Sequence, residues 1–280
     1  MQHTEQKWLD NKRIVVATKH QKERVIYPLF LELYNCTFLS SKIDTDLLGT
    51  FSGEIERTLS PYETAIEKCR LAFKTTDADY AIASEGSFGP HPSLFFVSSD
   101  EEFIIFMSRD EQLIIWAKHI STETNYNQID TPSTEQLTEF LEKIQFPSHK
   151  VLFKSKTKIE KGIDEINILN ELIQECKHQN ESFQIETDMR AHNNPTRMKV
   201  IEETTYKLLE KLNSFCPSCN TPGFSVQEIV KGLPCAQCGL KTESTLKHIK
   251  ICTSCNHNED ILYPRGIKTE DPMYCAFCNP

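Results

Sequence analysis

The sequence predicts a mixed α/β fold, in which helices flank a central mixed sheet, followed by a small cysteine-rich segment. Short apolar runs typical of buried strands alternate with segments whose apolar residues recur at helical spacing. Of the 11 cysteines, eight form four CxxC pairs that all lie beyond residue 215. We therefore expect domains over residues 1–213 and 214–280, with the boundary near Asn213–Phe215.

The first predicted elements are a strand, a helix and a second strand. Arg13–Ala17 is an apolar run typical of a buried strand. Apolar residues then recur at helical spacing from Val25 to Leu33, although Pro28 lacks a backbone N–H and is expected to kink or divide that helix. Cys36–Ser40 predicts the second strand.

A second helix is predicted to begin after Ser60. Ser60 can cap the helix, Pro61 suits its first position, and Glu63 can complete a capping box. The strand predicted at Asp79–Ser84 follows, and it runs directly into Glu85–Ser87.

Antiparallel strands and further helices complete the predicted sheet. Leu94–Val97 and Phe103–Met107 flank the turn-like Ser98–Glu101 and predict a hairpin, with Leu113–Ile120 as a third antiparallel strand. The remaining predicted elements are helices around 137–144 and 166–173, a strand at Phe183–Glu186 and a helix that starts near Pro195. Together they indicate a mixed sheet covered by helices.

Composition and charge narrow the function classes. The chain carries 39% hydrophobic and 25% charged residues, an ordinary balance for a globular protein. No apolar stretch reaches the length of a membrane span, and the N-terminal residues lack a signal-peptide core, so we expect a cytoplasmic location. The net charge of −9 argues against a broad basic surface for nucleic acid, although a small basic pocket remains compatible with it.

The cysteine pairs predict two structural zinc ions. Two thiolates two residues apart can bind one ion, and two such pairs complete a tetrahedron with no open position for catalysis. The spacing of 15 residues between the first and second pairs, and of 19 residues between the third and fourth, falls in the zinc-ribbon range. Sequential pairing is the simpler choice, interleaved pairing is the alternative, and an iron–sulfur cluster is the minor alternative. The ligands are Cys216, Cys219, Cys235, Cys238, Cys252, Cys255, Cys275 and Cys278.

The charge of this segment bears on its partner. Six Lys/Arg balance six Asp/Glu between Cys216 and Pro280, and each zinc with four thiolates adds a formal −2. A nucleic-acid surface is therefore not favoured. A stabilising appendage, or a surface that docks a protein, is the favoured interpretation.

Three polar clusters follow predicted strands, where open α/β sheets place their ligand crevices. The first cluster combines Thr18, Lys19, His20 and Lys22, whose hydroxyl, ammonium and backbone N–H groups can bind a phosphate. The alternative is an exposed polar start of a helix.

The second cluster is the acidic pair Glu63 and Glu85. Two carboxylates from different elements could hold Mg²⁺ beside a triphosphate. The alternatives are a capping-box role for Glu63 and an unligated loop carboxylate for Glu85.

The third cluster is basic and precedes the last helix. Asn194 can cap that helix, and Arg190, His192 and Arg197 would surround its positive end, which is an anion site. The alternative is a salt-bridged loop in which Asp188 pairs with an arginine.

Two resemblances extend this reading. The first resemblance is to the inosine/xanthosine triphosphate pyrophosphatase-like superfamily. It rests on the stretch RIVVATKHQKE at Arg13–Glu23 and on the order and spacing of Ser52-Gly53, Glu63 and Glu85-Gly86. His20 stands where asparagine is usual in that superfamily. The combination of EGSFGPHP, TDMRAHNNPTRM and four CxxC pairs resembles an uncharacterised bacterial family.

The first resemblance implies cleavage of a nucleoside triphosphate to a monophosphate and pyrophosphate with Mg²⁺. On that reading Thr18 and Lys22 bind phosphate, Glu63 and Glu85 hold metal, and Arg197 contacts phosphate or base. The rival hypothesis is a non-catalytic protein that binds a nucleotide or an RNA end and docks a partner through its zinc ribbons. A purely structural adaptor predicts that the three polar clusters do not meet in space.

Overall fold

The protein is described by a computed structural model that covers residues 7–41, 43 and 59–280. Its compact units are Met1–Leu208 and Leu209–Pro280. The division falls inside the last helix, shortly before the boundary predicted near Asn213–Phe215. The resemblance motif Ser52-Gly53 lies outside the described residues.

The first unit contains a five-stranded mixed sheet with the order β2-β1-β3-β4-β5. The strands β2, β1 and β3 are parallel, whereas β4 and β5 add in antiparallel fashion. Its strands and helices are β1 (Arg13–Ala17), α1 (Glu23–Leu33), β2 (Thr37–Leu39), α2 (Pro61–Thr75), β3 (Tyr80–Pro90), β4 (Ser98–Ser108) and β5 (Ile114–Ser121).

The strand order reverses at β1, which is flanked by β2 on one side and β3 on the other. Such a reversal opens a crevice beyond the carboxyl ends of the two strands where it occurs. Helix α2 packs with Ala17 and Ala83 on one face of the sheet, while Phe30 of α1 stacks on Phe106, which points from β4 to the other face. The fold therefore brings the segments after β1 and within β3 to one crevice.

Local signals account for the two helices beside this crevice. The predicted capping box is confirmed: Glu63 N donates to Ser60 Oγ at 3.3 Å, and Ser60 N donates to Glu63 Oε2 at 2.9 Å. Helix α1 continues through Pro28, so of the two predicted outcomes, a kink or a division, the proline does not divide the helix. Pro28 is exposed, and the chain on both sides keeps its helical hydrogen bonding.

The antiparallel part of the sheet differs from the prediction. Strands β3 and β4 pair over eleven positions, from Tyr80 opposite Ser108 to Pro90 opposite Ser98. Ser98–Glu101 therefore lies within a strand, and the predicted hairpin that used these residues as a turn was wrong. The actual connection contains Leu94–Val97. Two of the acidic residues in this strand have cationic partners, since Glu102 pairs with the buried Arg197 and Glu101 pairs with Lys118.

A second sheet, of four antiparallel strands, completes the first unit, so the expectation of one central sheet was wrong. Its order is β6-β9-β7-β8, and the two strands β7 and β8 were missed because their lysines and glutamates obscure the apolar pattern. Its elements are β6 (Gln128–Asp130), α3 (Thr134–Lys143), β7 (Val151–Ser155), β8 (Ile159–Ile163), α4 (Ile166–His178) and β9 (Phe183–Thr187). A core around Phe140, Phe153 and Leu169 joins this sheet to its helices.

The last helix, α5 (Pro195–Leu212), leads into the second unit. That unit contains an antiparallel meander of β10 (Ser225–Lys231), β11 (Thr245–Ile251) and β12 (Asn258–Leu262). Across the described part of the chain, no helix combines the length and apolar character that a membrane crossing requires.

Candidate functional site

Parts of the three polar clusters predicted from the sequence meet at the crevice of the first unit, whereas Glu63 of the second cluster is exposed in the capping box of α2. Lys22 Nζ donates to the carbonyl oxygen of Ser84 at 3.1 Å and lies 3.0 Å from its Oγ, which joins the segment after β1 to β3. The His20 ring stacks on the His192 ring, with centroids 5.3 Å apart and planes at 27°. The clusters around residues 18–23, 84–86 and 187–197 therefore form one site.

Lys22 is a buried cation at the floor of this site. It is 5% exposed, and burial, followed by the charge of Arg197, lowers the pKa of its ammonium to about 7. The carboxylates of Glu102 and Glu85 act in the opposite direction. Near pH 7 this amine is thus only partly protonated, which is unusual for a lysine.

Arg197 is a second buried cation, and it is held in a fixed position. It is completely buried, and its Nε donates to Glu102 Oε1 at 2.6 Å while Nη1 donates to the Met189 carbonyl. Its guanidinium lies 5.0 Å from the ring centroid of Phe88. The predicted helix cap is confirmed, because Arg197 N donates to Asn194 Oδ1 at 3.0 Å.

Gly86 lets the backbone of β3 approach this ion pair. A Cβ at Gly86 would lie 2.5 Å from Arg197 Nη2 and 2.5 Å from Glu102 Oε1. Real Cβ atoms essentially never reach such distances, so a side chain there would displace the Arg197 guanidinium or the Glu102 carboxylate, which are buried and bonded to each other. Glycine at this position is therefore required by space rather than by backbone conformation.

Asp100 is a fully buried carboxylate two residues before Glu102 on β4. Across residues 7–41, 43 and 59–280, neither oxygen of Asp100 has a hydrogen-bond partner, and the same holds for Glu102 Oε2. Burial, and then the neighbouring charge of Glu102, raises the pKa of Asp100 to about 8. Buried carboxylates normally have donors, so three oxygens without one mark an unusual position.

A basic rim lies above these buried groups. Arg190 forms a bidentate ion pair with Asp188, in which Nε donates to Oδ1 at 3.0 Å and Nη2 donates to Oδ2 at 2.6 Å. This pair is the salt-bridged loop that the sequence left as an alternative. Desolvation, and then the charge of Arg190, lowers the pKa of His192; the charges of Lys150 and Arg24 contribute in the same direction.

A cavity of about 360 Å³ opens beside the carboxyl ends of β1 and β2. Tyr27 and Phe38 stack at its side, with ring centroids 3.9 Å apart. Its lining combines hydroxyl, amide, ammonium, carboxylate and aromatic groups, from Val16, Thr18, Lys19, Gln21, Glu23, Tyr27, Phe38, Ser40 and Ser41.

The cysteines of the second unit form two groups of four that can hold two zinc ions. One group consists of Cys216, Cys219, Cys252 and Cys255, and the other consists of Cys235, Cys238, Cys275 and Cys278. We call each CxxC pair a knuckle. Sulfur atoms from the two knuckles of one group lie 3.5 to 3.9 Å apart. A tetrahedron with Zn–S bonds of about 2.3 Å requires sulfurs about 3.8 Å apart, so the donor set fits the ion.

The pairing is interleaved, first with third and second with fourth, so sequential pairing, the simpler choice, was wrong. The meander of β10, β11 and β12 explains this result. The knuckle before β10 and the knuckle between β11 and β12 lie at one end of the three strands, whereas the other two knuckles lie at the opposite end. Antiparallel pairing therefore decides which cysteines meet.

Each knuckle also has the same backbone turn. The N–H of the residue after the second cysteine donates to the carbonyl of the first cysteine at 2.8 to 2.9 Å. Asn220, Gly239 and Asn256 adopt positive φ values at this position, where asparagine and glycine are tolerated. Asparagine or glycine thus shapes the turn of three of the four CxxC pairs.

The profile of the family described as "Domain of unknown function (DUF6671)" matches residues 68–280, which is most of the chain. The chain belongs to the DUF6671 family. Neither a curated protein nor a solved structure matches it. The DUF6671 match includes Glu85, Arg197 and the eight cysteines, whereas Lys22 lies in the segment before it.

In this DUF6671 protein the two carboxylates predicted to share magnesium, Glu63 and Glu85, differ in burial and in hydrogen-bond partner. Glu63 is exposed and occupied by its capping box, the alternative role noted for it. Glu85 is buried and pairs with Lys68 of α2. Within the described ranges, the groups of three or more metal-ligand side chains that lie close enough for an ion are the two cysteine groups.

Sequence reasoning missed Asp100 and Glu102 as parts of the candidate site, and Lys68 entered it only within the pyrophosphatase resemblance, without a role. Asp100 lay in a stretch that resembles a turn, and Glu102 lay beside it. The available signal was two acidic residues spaced two apart in a run that continues into the apolar FIIFM, because such spacing places both carboxylates on one face of a strand.

Proposed function

We propose that the first unit binds a nucleotide through its phosphates at the crevice beyond β1 and β3. The observation that carries this proposal is the convergence of His20 and Lys22 with Ser84, His192 and Arg197. These residues come from segments far apart in the sequence. A purely structural adaptor predicted that they would not meet.

The chemistry of the rim suits an anionic ligand. His20, Arg190 and His192 can present N–H donors, and the positive charges of Arg24 and of Lys150, which also pairs with Asp164, act on His192. The buried pair Arg197–Glu102 is then a support for the rim rather than a surface group. Burial of Lys22 and Arg197 beneath the rim residues lowers the effective dielectric around these two cations and increases their attraction for a phosphate.

The adjacent cavity favours a nucleotide over free phosphate. Thr18, Lys19, Ser40 and Ser41 supply the hydroxyl and ammonium groups that bind phosphate or ribose, while the Tyr27–Phe38 stack offers an apolar wall for a base. A volume of about 360 Å³ lies within the range of small-molecule sites.

Titration calorimetry of the full-length, zinc-loaded protein tests this proposal with ATP, inosine triphosphate and inorganic triphosphate. We expect saturable binding of at least one nucleotide, weakened about tenfold or more by His192→Ala or Lys19→Ala, because each removes a charged or polar contact. His178→Ala is the matched control, since His178 is exposed at the end of α4. Absence of binding, or equal weakening by all three variants, would contradict the proposal.

Hydrolysis of the bound nucleotide with Mg²⁺, to a monophosphate and pyrophosphate, is the second candidate function. The three buried carboxylates Glu85, Asp100 and Glu102 near the two buried cations favour it, because metal-assisted phosphoryl chemistry uses carboxylates beside positive groups. Pyrophosphate release in the presence of Mg²⁺, abolished by Glu85→Gln with binding retained, supports the hydrolase. Binding without turnover leaves the protein as a nucleotide sensor.

For the second unit, we propose that both cysteine groups hold structural zinc and that the unit docks a protein partner. Four thiolates per site leave no open coordination position, and the sulfur spacing fits zinc. Metal analysis together with the visible absorbance spectrum distinguishes zinc from an iron–sulfur cluster, because only the cluster is coloured.

A further inference from the structure

We infer that Asp100 and Glu102 form a binding site for one divalent cation, Mg²⁺ or Mn²⁺, on the face of β4 that meets Arg197. This inference deepens the proposed function, because the cation would stand beside the phosphates of the bound nucleotide. It assigns the cation to residues other than the pair Glu63 and Glu85 predicted from the sequence.

The two side chains share one face of the sheet. Glu102 is opposite Gly86 and Asp100 is opposite Phe88, and alternate residues of a strand point to the same side. The intervening Glu101 points to the other face, where it pairs with Lys118 at 2.7 Å. Asp100 and Glu102 are therefore adjacent side chains on one face of β4.

Their oxygens lack the donors that burial demands. Asp100 is 0% exposed and Glu102 is 1% exposed, yet three of their four oxygens have no hydrogen-bond partner within the described ranges. Arg197 donates to the fourth oxygen, Glu102 Oε1. Leaving charged oxygens buried in this state is costly, so a cation or a proton must compensate them.

A divalent cation accounts for this arrangement better than a proton does. One proton shared by the pair would serve two of the three oxygens, whereas a cation can contact all three. Mg²⁺ in phosphate-binding proteins commonly takes one or two carboxylates and completes its shell with water and phosphate oxygens. Lys22 and Arg197, near the same carboxylates, leave the loaded site positive and ready for a phosphate.

The test is a Mn²⁺ titration of the full-length, zinc-loaded protein without nucleotide, in which the paramagnetic resonance signal of free Mn²⁺ reports binding. We expect one Mn²⁺ per chain, displaced by Mg²⁺, in the native protein and in Glu101→Gln. We expect Asp100→Asn and Glu102→Gln to weaken binding at least about tenfold, since each removes a charged ligand.

Asp100→Asn keeps the test valid if Glu102→Gln disturbs the fold, because Asp100 has no hydrogen bond to lose among the described residues. A native protein that binds no Mn²⁺, or an Asp100→Asn variant that binds it as well as the native protein does, would overturn the inference. In that case carbon-13 resonances of a protonated carboxyl at neutral pH would identify a proton as the compensating charge. Because no nucleotide is present, the result is independent of whether the nucleotide itself binds.

Discussion

Arg197 and Glu102, 95 residues apart in the sequence, form a buried ion pair with Nε and Oε1 at 2.6 Å. Both side chains are essentially inaccessible to water. The pair connects the start of α5 to the sheet strand β4, and it determines where the neighbouring groups Gly86 and Lys22 can lie.

Replacing Arg197 by Met should destabilise the first unit by about 3–5 kcal/mol, because the change leaves Glu102 buried without its partner. Urea denaturation followed by tryptophan fluorescence measures the effect, since both tryptophans, Trp8 and Trp116, lie in the first unit. The double variant Arg197→Met/Glu102→Leu should recover most of the loss. A single variant that loses less than about 1 kcal/mol would show that the ion pair is not an important part of the fold.

Replacing Gly86 by Ala should destabilise the unit by about 1–3 kcal/mol and also weaken nucleotide binding, because the new methyl group displaces the guanidinium and carboxylate of the pair. Gly89→Ala on the same strand is the control, since a Cβ there meets no atom of the described residues within 4 Å. Urea midpoints of both variants give the comparison. Equal midpoints for the two variants would contradict the spatial explanation of Gly86.

The raised pKa of Asp100 predicts a pH dependence of stability. The ordinary pKa is 3.8 and burial raises it to about 8, so between these values the folded protein binds a proton that the unfolded chain lacks. Without added divalent cations, the contribution of Asp100 to stability should therefore fall as pH rises from about 4 to about 8, by about 1.4 kcal/mol per pH unit where the difference is complete.

Asp100→Asn removes that titration and is the matched comparison. Unfolding free energies of the native protein and the variant, measured at several pH values, isolate Asp100 from Lys22. The lowered pKa of Lys22 has the opposite sign, since it makes stability rise with pH above about 7 in both proteins. A difference between the two proteins that does not change with pH would refute the assignment of the proton to Asp100.

Interleaved pairing predicts the zinc content of double variants. Cys219→Ser/Cys255→Ser alters one cysteine group and should retain one zinc per chain, whereas Cys219→Ser/Cys238→Ser alters both groups and should retain none. Elemental analysis of the purified proteins counts the metal. Sequential pairing would exchange the outcomes of the two variants, so the pair of measurements decides between the two arrangements.

Local sequence patterns were sufficient for elements whose stability depends on near neighbours. The capping box at Ser60, the cap at Asn194 and the knuckle turns around the cysteine pairs each involve residues a few positions apart. Short-range chemistry decides such features, and the residue types themselves reveal them.

The partition of the first unit into two sheets could not be read from the sequence. Strands β7 and β8 carry polar residues on their half-exposed face, and Ser98–Glu101 resembles a turn by composition. The fold encloses Asp100 in a buried, charged setting that also contains Arg197, and no local pattern records that enclosure.

The sequence by itself determined that the chain contains an α/β part and two sites of four thiolates, because periodicity and CxxC spacing are local properties. Only the tertiary structure decided that His20 stacks on His192, that Glu102 binds Arg197 and that Cys216 shares a site with Cys252. The physical reason is the same in each case. Strand order and strand direction determine which distant side chains become neighbours, and they are set by the packing of the whole sheet.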